Sequence, residues 1–406
     1  MTSLPQGASS PCTAAARLPI SPIGFFNIIN TEHFFAVTEQ RKSTRLQSSD
    51  HGTQPVIVLT AVAGTMDHLQ SRIQDLGDLE LALLVAVVAG EHCIFSTSSE
   101  SVQNLRAELS LTCMNRFLRQ PVVIHCSPET TVDEFSEALL VENEESFDDS
   151  LGDDKHNAAR PTLQVKFHPT REPSPGRLGS LANLDERRVA DVVIAVGLDS
   201  AIEAVQVQAF ELLRSRRMFT RSAMHVAPKD LLFIVILSSP EARLTRHLND
   251  LFCMSHHHAD GDGFIHLDGQ LDTTEVPTIN AEDITQLREL AKDVTLTHEI
   301  AQYLHNIVVF MRNSRLIKGG VTATATRQLR ILSMALAPLH DLDYVPPSLV
   351  ALAARKIYPH RLVLATEKTE RSLLWGSDPR AIRDLMQNVT IEDAIENVLG
   401  SVEAPL

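Results

Sequence analysis

The octapeptide Val189-Ala190-Asp191-Val192-Val193-Ile194-Ala195-Val196 is apolar at every position but one, and Ala201 to Arg214 follows it with apolar residues at helical spacing. A strand wetted on one face alternates polar and apolar residues, whereas a strand apolar throughout is covered on both faces. Reading outward, the same order recurs. His92 to Ser96 is β-type and precedes the helical stretch Val102 to Leu109, which serines of the intervening segment can cap. Pro121 to His125 is β-branched, and Thr130 or Thr131 opens a helix through Leu140 with acids in its first turn. Leu231 to Leu237, after a turn marked by Pro228, closes the series, while Val56 to Leu59 reads as a strand and Leu76 to Ala89 as a helix. Continuous apolar strands alternating with helices predict a parallel sheet sandwiched between helices, an α/β core.

The rest of the chain divides by composition. Residues 1–52 are rich in Ser, Thr, Pro and Gln and read as a disordered leader, with one apolar patch from Ile23 to Val37. The core is expected over 53–265, interrupted at 141–185 by an insertion that is acidic at first and then loaded with Pro, Gly and Ser. Beyond 280 the pattern becomes all-helical: Ile300, Leu304, Ile307, Val308 and Met311 fall three and four apart, and similar stripes cover Thr326 to Leu339 and Ser348 to Ile357. A helical bundle over 280–365 and a helical tail over 366–406 complete the expected organisation.

The 406 residues carry a formal charge of −15 and no basic stripe interleaved with aromatics, so a nucleic acid partner is not expected. Five scattered cysteines without a CxxC pair read as reduced core thiols, which fits a cytoplasmic, intracellular setting. The longest apolar run, Leu79 to Ala89 with Glu80 inside it, is shorter than the roughly 20 residues that cross a bilayer, so no membrane span is expected.

The bundle carries the more specific pattern. Tyr303, Val308 and Arg312, then Gly320, then Ala335-Leu336-Ala337, then Asp343-Tyr344-Val345-Pro346-Pro347-Ser348-Leu349-Val350, and finally His360-Arg361-Leu362 resemble the lid of the MoxR and magnesium-chelatase AAA+ ATPases. Five core segments resemble the same family more faintly. Asp191 to Ala195 looks like its Walker B strand, Val205 to Arg217 the helix after it, Phe219 to Pro228 a hairpin, Phe233 to Pro240 the sensor strand, and Leu244 to Phe252 the helix ending in Asp-Arg-Phe. The resemblance spans about 70–365 and implies a P-loop-NTPase-type core followed by an all-α lid, ring-forming surfaces, and partners carrying von Willebrand A domains.

At the positions where that family handles nucleotide, the required chemistry is missing. A P-loop needs glycines for backbone contact with phosphates, a lysine for their charge, and Ser or Thr for magnesium. The corresponding loop contains Ser96, Ser98, Ser99 and Ser101 but neither glycine nor lysine. The Walker B acids fall at Ala195-Val196 or Val196-Gly197, without a carboxylate; Asp199 lies just beyond. The sensor position is Ser239, the arginine-finger position is Leu251, with Arg246 one turn earlier, and the lid arginine position is Thr324, with Arg327 nearby.

His256-His257-His258 with Asp260 and Asp262 forms a dense group of metal-ligand types. On an extended backbone His256 and His258 share a face and, with Asp260, are weak metal candidates; otherwise the stretch is a solvated polar loop. His125 and Cys126 are strand neighbours facing opposite ways, and Arg214, Arg216, Arg217 and Arg221 form a local basic patch. The reading that follows is a degenerate AAA+-like module without ATP hydrolysis, catalytic residues or bound cofactor, acting through a protein partner or through its own copies. The alternative is an ATP- and magnesium-dependent chelatase-like subunit using unconventional ligands.

Overall fold

The computed structural model describes residues 69–142, 187–267 apart from Ser222, and 277–405. All of these lie in one compact unit spanning Val56–Leu406. The expected leader, the strand at Val56 to Leu59 and nearly all of the insertion lie outside the described residues.

Five parallel strands form the sheet: β1 (His92–Ser96), β2 (Pro121–His125), β5 (Val192–Val196), β8 (Leu232–Leu237) and β9 (Phe252–His257). Their spatial order is β2-β5-β8-β1-β9, so every neighbour is reached by a crossover. The strands β1, β5 and β8 are buried along their whole lengths, as continuous apolar runs require when both faces are covered. Helices α3 (Val132–Ala138) and α4 (Glu203–Ser215) supply Phe135, Val205, Ala209 and Leu212 to a core shared with Ile94, Val193, Ala195, Phe233 and Val235. At roughly 2 kcal/mol for each fully buried large side chain, this layer is a main source of stability.

Helix α1 (Asp78–Ala89) is buried from Leu79 through Val88, as a helix apolar all round must be. Helix α2 (Val102–Asn115) runs on six residues beyond the stretch expected from sequence. Other segments also depart from expectation. Helix α3 stops at Ala138 because Leu140 and Val141 form β3, paired antiparallel with β4 (Arg188–Val189). The octapeptide at 189–196 is therefore two strands, separated at Ala190-Asp191. Strands β6 (Arg217–Phe219) and β7 (Met224–Val226) form the hairpin expected there.

The largest correction lies after Pro240. The expected helix from Leu244 to Phe252 is a single turn, α5 (Arg246–Asn249), and Phe252 begins a fifth strand that takes in His256 and His257, so the histidine run lies on the extended backbone weighed as its alternative to a solvated loop. β9 extends the sheet beside β1, with Cys93 opposite Met254 and Phe95 opposite His256.

The C-terminal region is helical: α6 (Ala281–Asp293), α7 (His298–Asn313), α8 (Ala323–Leu339), α9 (Pro347–Ile357), α10 (Pro379–Met386) and α11 (Ile391–Ser401), with a small ladder of β10 (Ile317–Gly319) and β11 (Val363–Leu364). The buried stripe of α7 is Ile300, Tyr303, Leu304, Ile307, Val308 and Met311, which contains every position the spacing selected. The hydroxyls of Thr297 and Thr322 cap α7 and α8, and Pro347 opens α9 at its first turn. Among the described residues no helix is long and apolar enough to cross a membrane.

Candidate functional site

In an open parallel sheet, ligands sit outside the carboxyl ends of the strands, where loops cross between layers. Here that edge gathers Ser96, Val196 and Leu237: Ser96 is level with Leu237, and Val196 with Ile236. The Thr97 amide donates to Leu237 O at 3.2 Å and the Gly197 amide to Ile236 O at 3.1 Å, so the loops begin at fixed heights. Ser98, Ser99 and Ser101 follow in the short turn to α2, and Ser239 stands beyond β8.

The chain's own groups engage these positions. Ser98 Oγ and Ser101 Oγ both donate to Asp260 Oδ1, each at 2.7 Å. Ser96 Oγ lies 3.2 Å from His257 Nδ1. Ser101 occupies the N-cap position before α2 but makes no side-chain cap, because its hydroxyl is turned to Asp260. The Asp260 carboxyl is held below its ordinary pKa, first by Ser98, then by Ser101. An anion thus sits beside the start of a helix, a favourable place for negative charge, and this one belongs to the protein.

The position expected for a Walker B acid also carries a backbone constraint. Gly197 has φ +69°, and a Cβ there would stand 3.1 Å from Cys126 O, so an acidic residue at 197 is strained on both counts. Ser200 Oγ donates to Gly197 O at 2.7 Å, and Asp199 gives only its carbonyl to Gln206 Nε2 at 3.5 Å. Ser239 Oγ accepts from the Glu241 amide at 3.1 Å. Burial pushes the Cys126 thiol up to about 11, and its strand neighbour His125 is exposed, so the two form no nucleophile and base pair.

Leu251 and Thr324 do not join this group. Leu251 directly precedes β9 and lies at the amino edge of the sheet, where Phe252 is level with His92. Thr324 is in the first turn of α8, two residues from Thr322, whose hydroxyl donates to Asp250 Oδ1 at 2.6 Å. The eight positions therefore form two sets, at opposite strand ends.

At the amino edge a group of side chains ties core and lid together. Asn249 Nδ2 donates to His360 O at 2.7 Å, and His360 Nε2 lies 3.0 Å from Phe252 O. Arg361 Nη2 donates to Asp250 O at 3.0 Å and also reaches Phe252 O and Gln328 Oε1. Gln328 Nε2 in turn donates to Glu91 Oε2 at 2.9 Å and to Leu251 O at 3.3 Å. Burial, and then Arg361, push the His360 imidazole well below its ordinary pKa, so it is neutral. Gly320 has φ +105°, and a Cβ there would fall 2.1 Å from Arg361 O.

The histidine run is partitioned by β9. His256 and His258 are buried, while His257 is exposed, as alternation requires. The three metal candidates have separate partners. His256 Nδ1 lies 3.2 Å from Lys356 Nζ, His258 Nε2 lies 3.0 Å from Gly263 O, and Asp260 is held by the serines. Among the described residues no group of three or more His, Cys, Asp or Glu is arranged to hold a metal ion. Burial and then Lys356 depress the His256 pKa, and burial depresses that of His258 despite Asp262.

A buried ionic cluster also escaped the sequence reading. Arg116 Nε donates to Glu80 Oε1 at 2.6 Å, and His266 Nε2 lies 2.8 Å from the same oxygen. Glu108 accepts from the His266 and Leu267 amides, Oε1 at 2.9 Å and Oε2 at 3.0 Å respectively. Burial alone would raise the Glu80 pKa, but hydrogen bonds from His266, Arg116 and the Gly77 amide outweigh it. The available signal was Glu80 itself, an acid inside an apolar run, which needs a cation once that helix is buried.

No family model matches the chain. Over 125 residues it is 30% identical to the maintenance of telomere capping protein 2 of Lachancea thermotolerans, covering 29% of this chain and 44% of that one. The chain thus matches less than half the length of this curated relative. Among solved structures, a candidate ATPase from Cytophaga hutchinsonii superposes with a TM-score of 0.55 at 13% identity, over 86% of this chain and all of the other. A full-length MCM homologue from Methanopyrus kandleri superposes at 0.40 and 12% identity, over 80% and 64% of the two chains, a likeness too loose to carry an argument. The five-stranded parallel sheet flanked by helices, with its helical C-terminal region, is the AAA+-like, P-loop-NTPase-type fold.

Proposed function

We propose that this chain is a degenerate AAA+-like protein of the MoxR and magnesium-chelatase type that does not hydrolyse ATP and works as an interaction or regulatory module. The observation that carries the reading is the occupied carboxyl edge. The serine hydroxyls that would face a phosphate are bonded to Asp260, their loop contains no lysine, and the expected Walker B positions 195–197 contain no carboxylate. Replacing one charge-assisted contact by nothing costs about 1.5–3 kcal/mol, and here the lysine, the magnesium acid and the arginine finger are all absent. The well-packed core–lid junction supports a role that needs the fold intact.

The partners are proteins or further copies of the chain, and the setting is cytoplasmic. The relative's name adds a process, maintenance of telomere capping, to which this chain would contribute through contacts made by its surface. A phosphate-release assay on the full chain tests the reading. Release at background level, unchanged by Ser101→Ala or Asp199→Ala, is expected. Ordinary ATPase turnover abolished by either substitution would overturn it and favour the chelatase-like subunit.

A further inference from the structure

The β6–β7 hairpin presents an apolar face that is exposed among the described residues. Its register sets Arg217 opposite Val226, Met218 opposite His225, and Phe219 opposite Met224. Side chains alternate across such a ribbon, so Arg217, Phe219, Met224 and Val226 share one face, and Met218 and His225 the other. The inner pair is 1% and 4% exposed, whereas Phe219, Met224 and Val226 are 67%, 48% and 60% exposed.

The ribbon is held at several points. The Ala227 amide donates to Arg216 O at 2.9 Å, and the Thr220 amide to Ala223 O at 2.9 Å. His225 Nδ1 lies 2.9 Å from Arg187 O, and Arg221 pairs with Asp133 on α3. Three exposed apolar side chains on a braced ribbon form a ready contact surface, since little order remains to be imposed on binding.

We infer that this hairpin face is a docking site for an extended, acidic peptide segment of a partner protein, one carrying apolar side chains between its acids. Two features select that chemistry. Arg217 stands exposed opposite Val226 and in the same row as Phe219, so the apolar face carries a cation at its edge. An extended chain presents alternate residues at the spacing of the ribbon's own rows, which lets apolar and acidic positions meet their counterparts. Nucleic acid fits worse, because phosphates leave the apolar side chains uncovered and the net charge of −15 repels them. The inference rests on the interaction-module reading and names its partner chemistry.

The test uses the full chain and a fluorescein-labelled peptide of the right composition, a copy of residues 142–151 (Glu-Asn-Glu-Glu-Ser-Phe-Asp-Asp-Ser-Leu), read by fluorescence polarisation. Saturable binding is expected, weakened at least tenfold by Phe219→Ser and by Arg217→Glu, both exposed positions whose replacement leaves the core untouched. A peptide with its acids replaced by lysine should fail on the wild type and recover on Arg217→Glu. Absence of saturable binding, or binding indifferent to either substitution, would overturn the inference. So would binding seen only after residues 146–183 are deleted, which would assign the face to the chain's own acidic segment. ATP turnover by the wild type would defeat the interaction-module reading while leaving the peptide result to be read separately.

Discussion

The two ends of the strands face opposite demands. At the amino edge, Asn249, Asp250, Phe252, Gln328, His360 and Arg361 are tied to one another by buried hydrogen bonds, with Gly320 packed against the Arg361 backbone. At the carboxyl edge, the loops after β1, β5 and β8 carry Ser96, Ser98, Ser101, Val196, Gly197 and Ser239, and Asp260 takes up the hydroxyls of Ser98 and Ser101. The contrast separates two uses of the same architecture. On the proposed reading, residues that packing needs are kept, and residues that only a nucleotide would need are missing from the positions expected for them. Substitutions at the two edges should therefore differ sharply in cost.

Gly320→Ala should have the largest effect. Its Cβ would meet backbone atoms of Arg361 and Leu362 at 2.1–2.9 Å, on a φ of +105° that disfavours any side chain. Overpacking and strain together should cost about 3 kcal/mol or more, read as a lower midpoint in urea. Arg361→Met follows, at about 3 kcal/mol, since it leaves the Asp250 carbonyl and the Gln328 amide oxygen without their buried donor and takes one of two partners from the Phe252 carbonyl. If either change behaved as a surface substitution, the junction would not be what holds core and lid together.

Lys356 sharpens the comparison through pH. Burial lowers its pKa from 10.5 to about 8, so between those values the unfolded chain holds more protons and stability rises with pH. Lys356→Met should therefore be the more stable protein at pH 7, by on the order of 3 kcal/mol, with the gap closing toward pH 10. Thiols whose pKa burial raises, such as Cys113 and Cys253, act oppositely at high pH but do so in both proteins. A gap that stayed constant with pH would contradict the assignment. The smallest effect belongs to the carboxyl edge: Ser98→Ala with Ser101→Ala should leave the unfolding midpoint within the range of ordinary surface changes, while amide exchange around Asp260 quickens.

How much of this was legible in the sequence depended on whether the signal was local. Strands such as Leu232–Leu237 and the stripe of α7 announced themselves because burial on both faces or on one face dictates a period. β9 did not, since Phe252, Met254 and His256 alternate with Cys253, Ser255 and His257, and three histidines in a row resemble a wet loop. Only the tertiary setting, with Phe95 and Lys356 against His256, explains their burial. The missing lysine and acids could be read directly. The capture of Ser98 and Ser101 by Asp260 could not, because about 160 residues separate the partners and no local rule links them.

Equilibrium binding of ATP to the full chain, with and without magnesium, tests the central claim most directly. The carboxyl edge, occupied by the carboxylate of Asp260 and with no lysine in its loop, predicts no saturable binding at micromolar nucleotide in either condition. Saturation at micromolar ATP, strengthened by magnesium and lost on Ser101→Ala, would show that this edge still holds a nucleotide and would contradict the account.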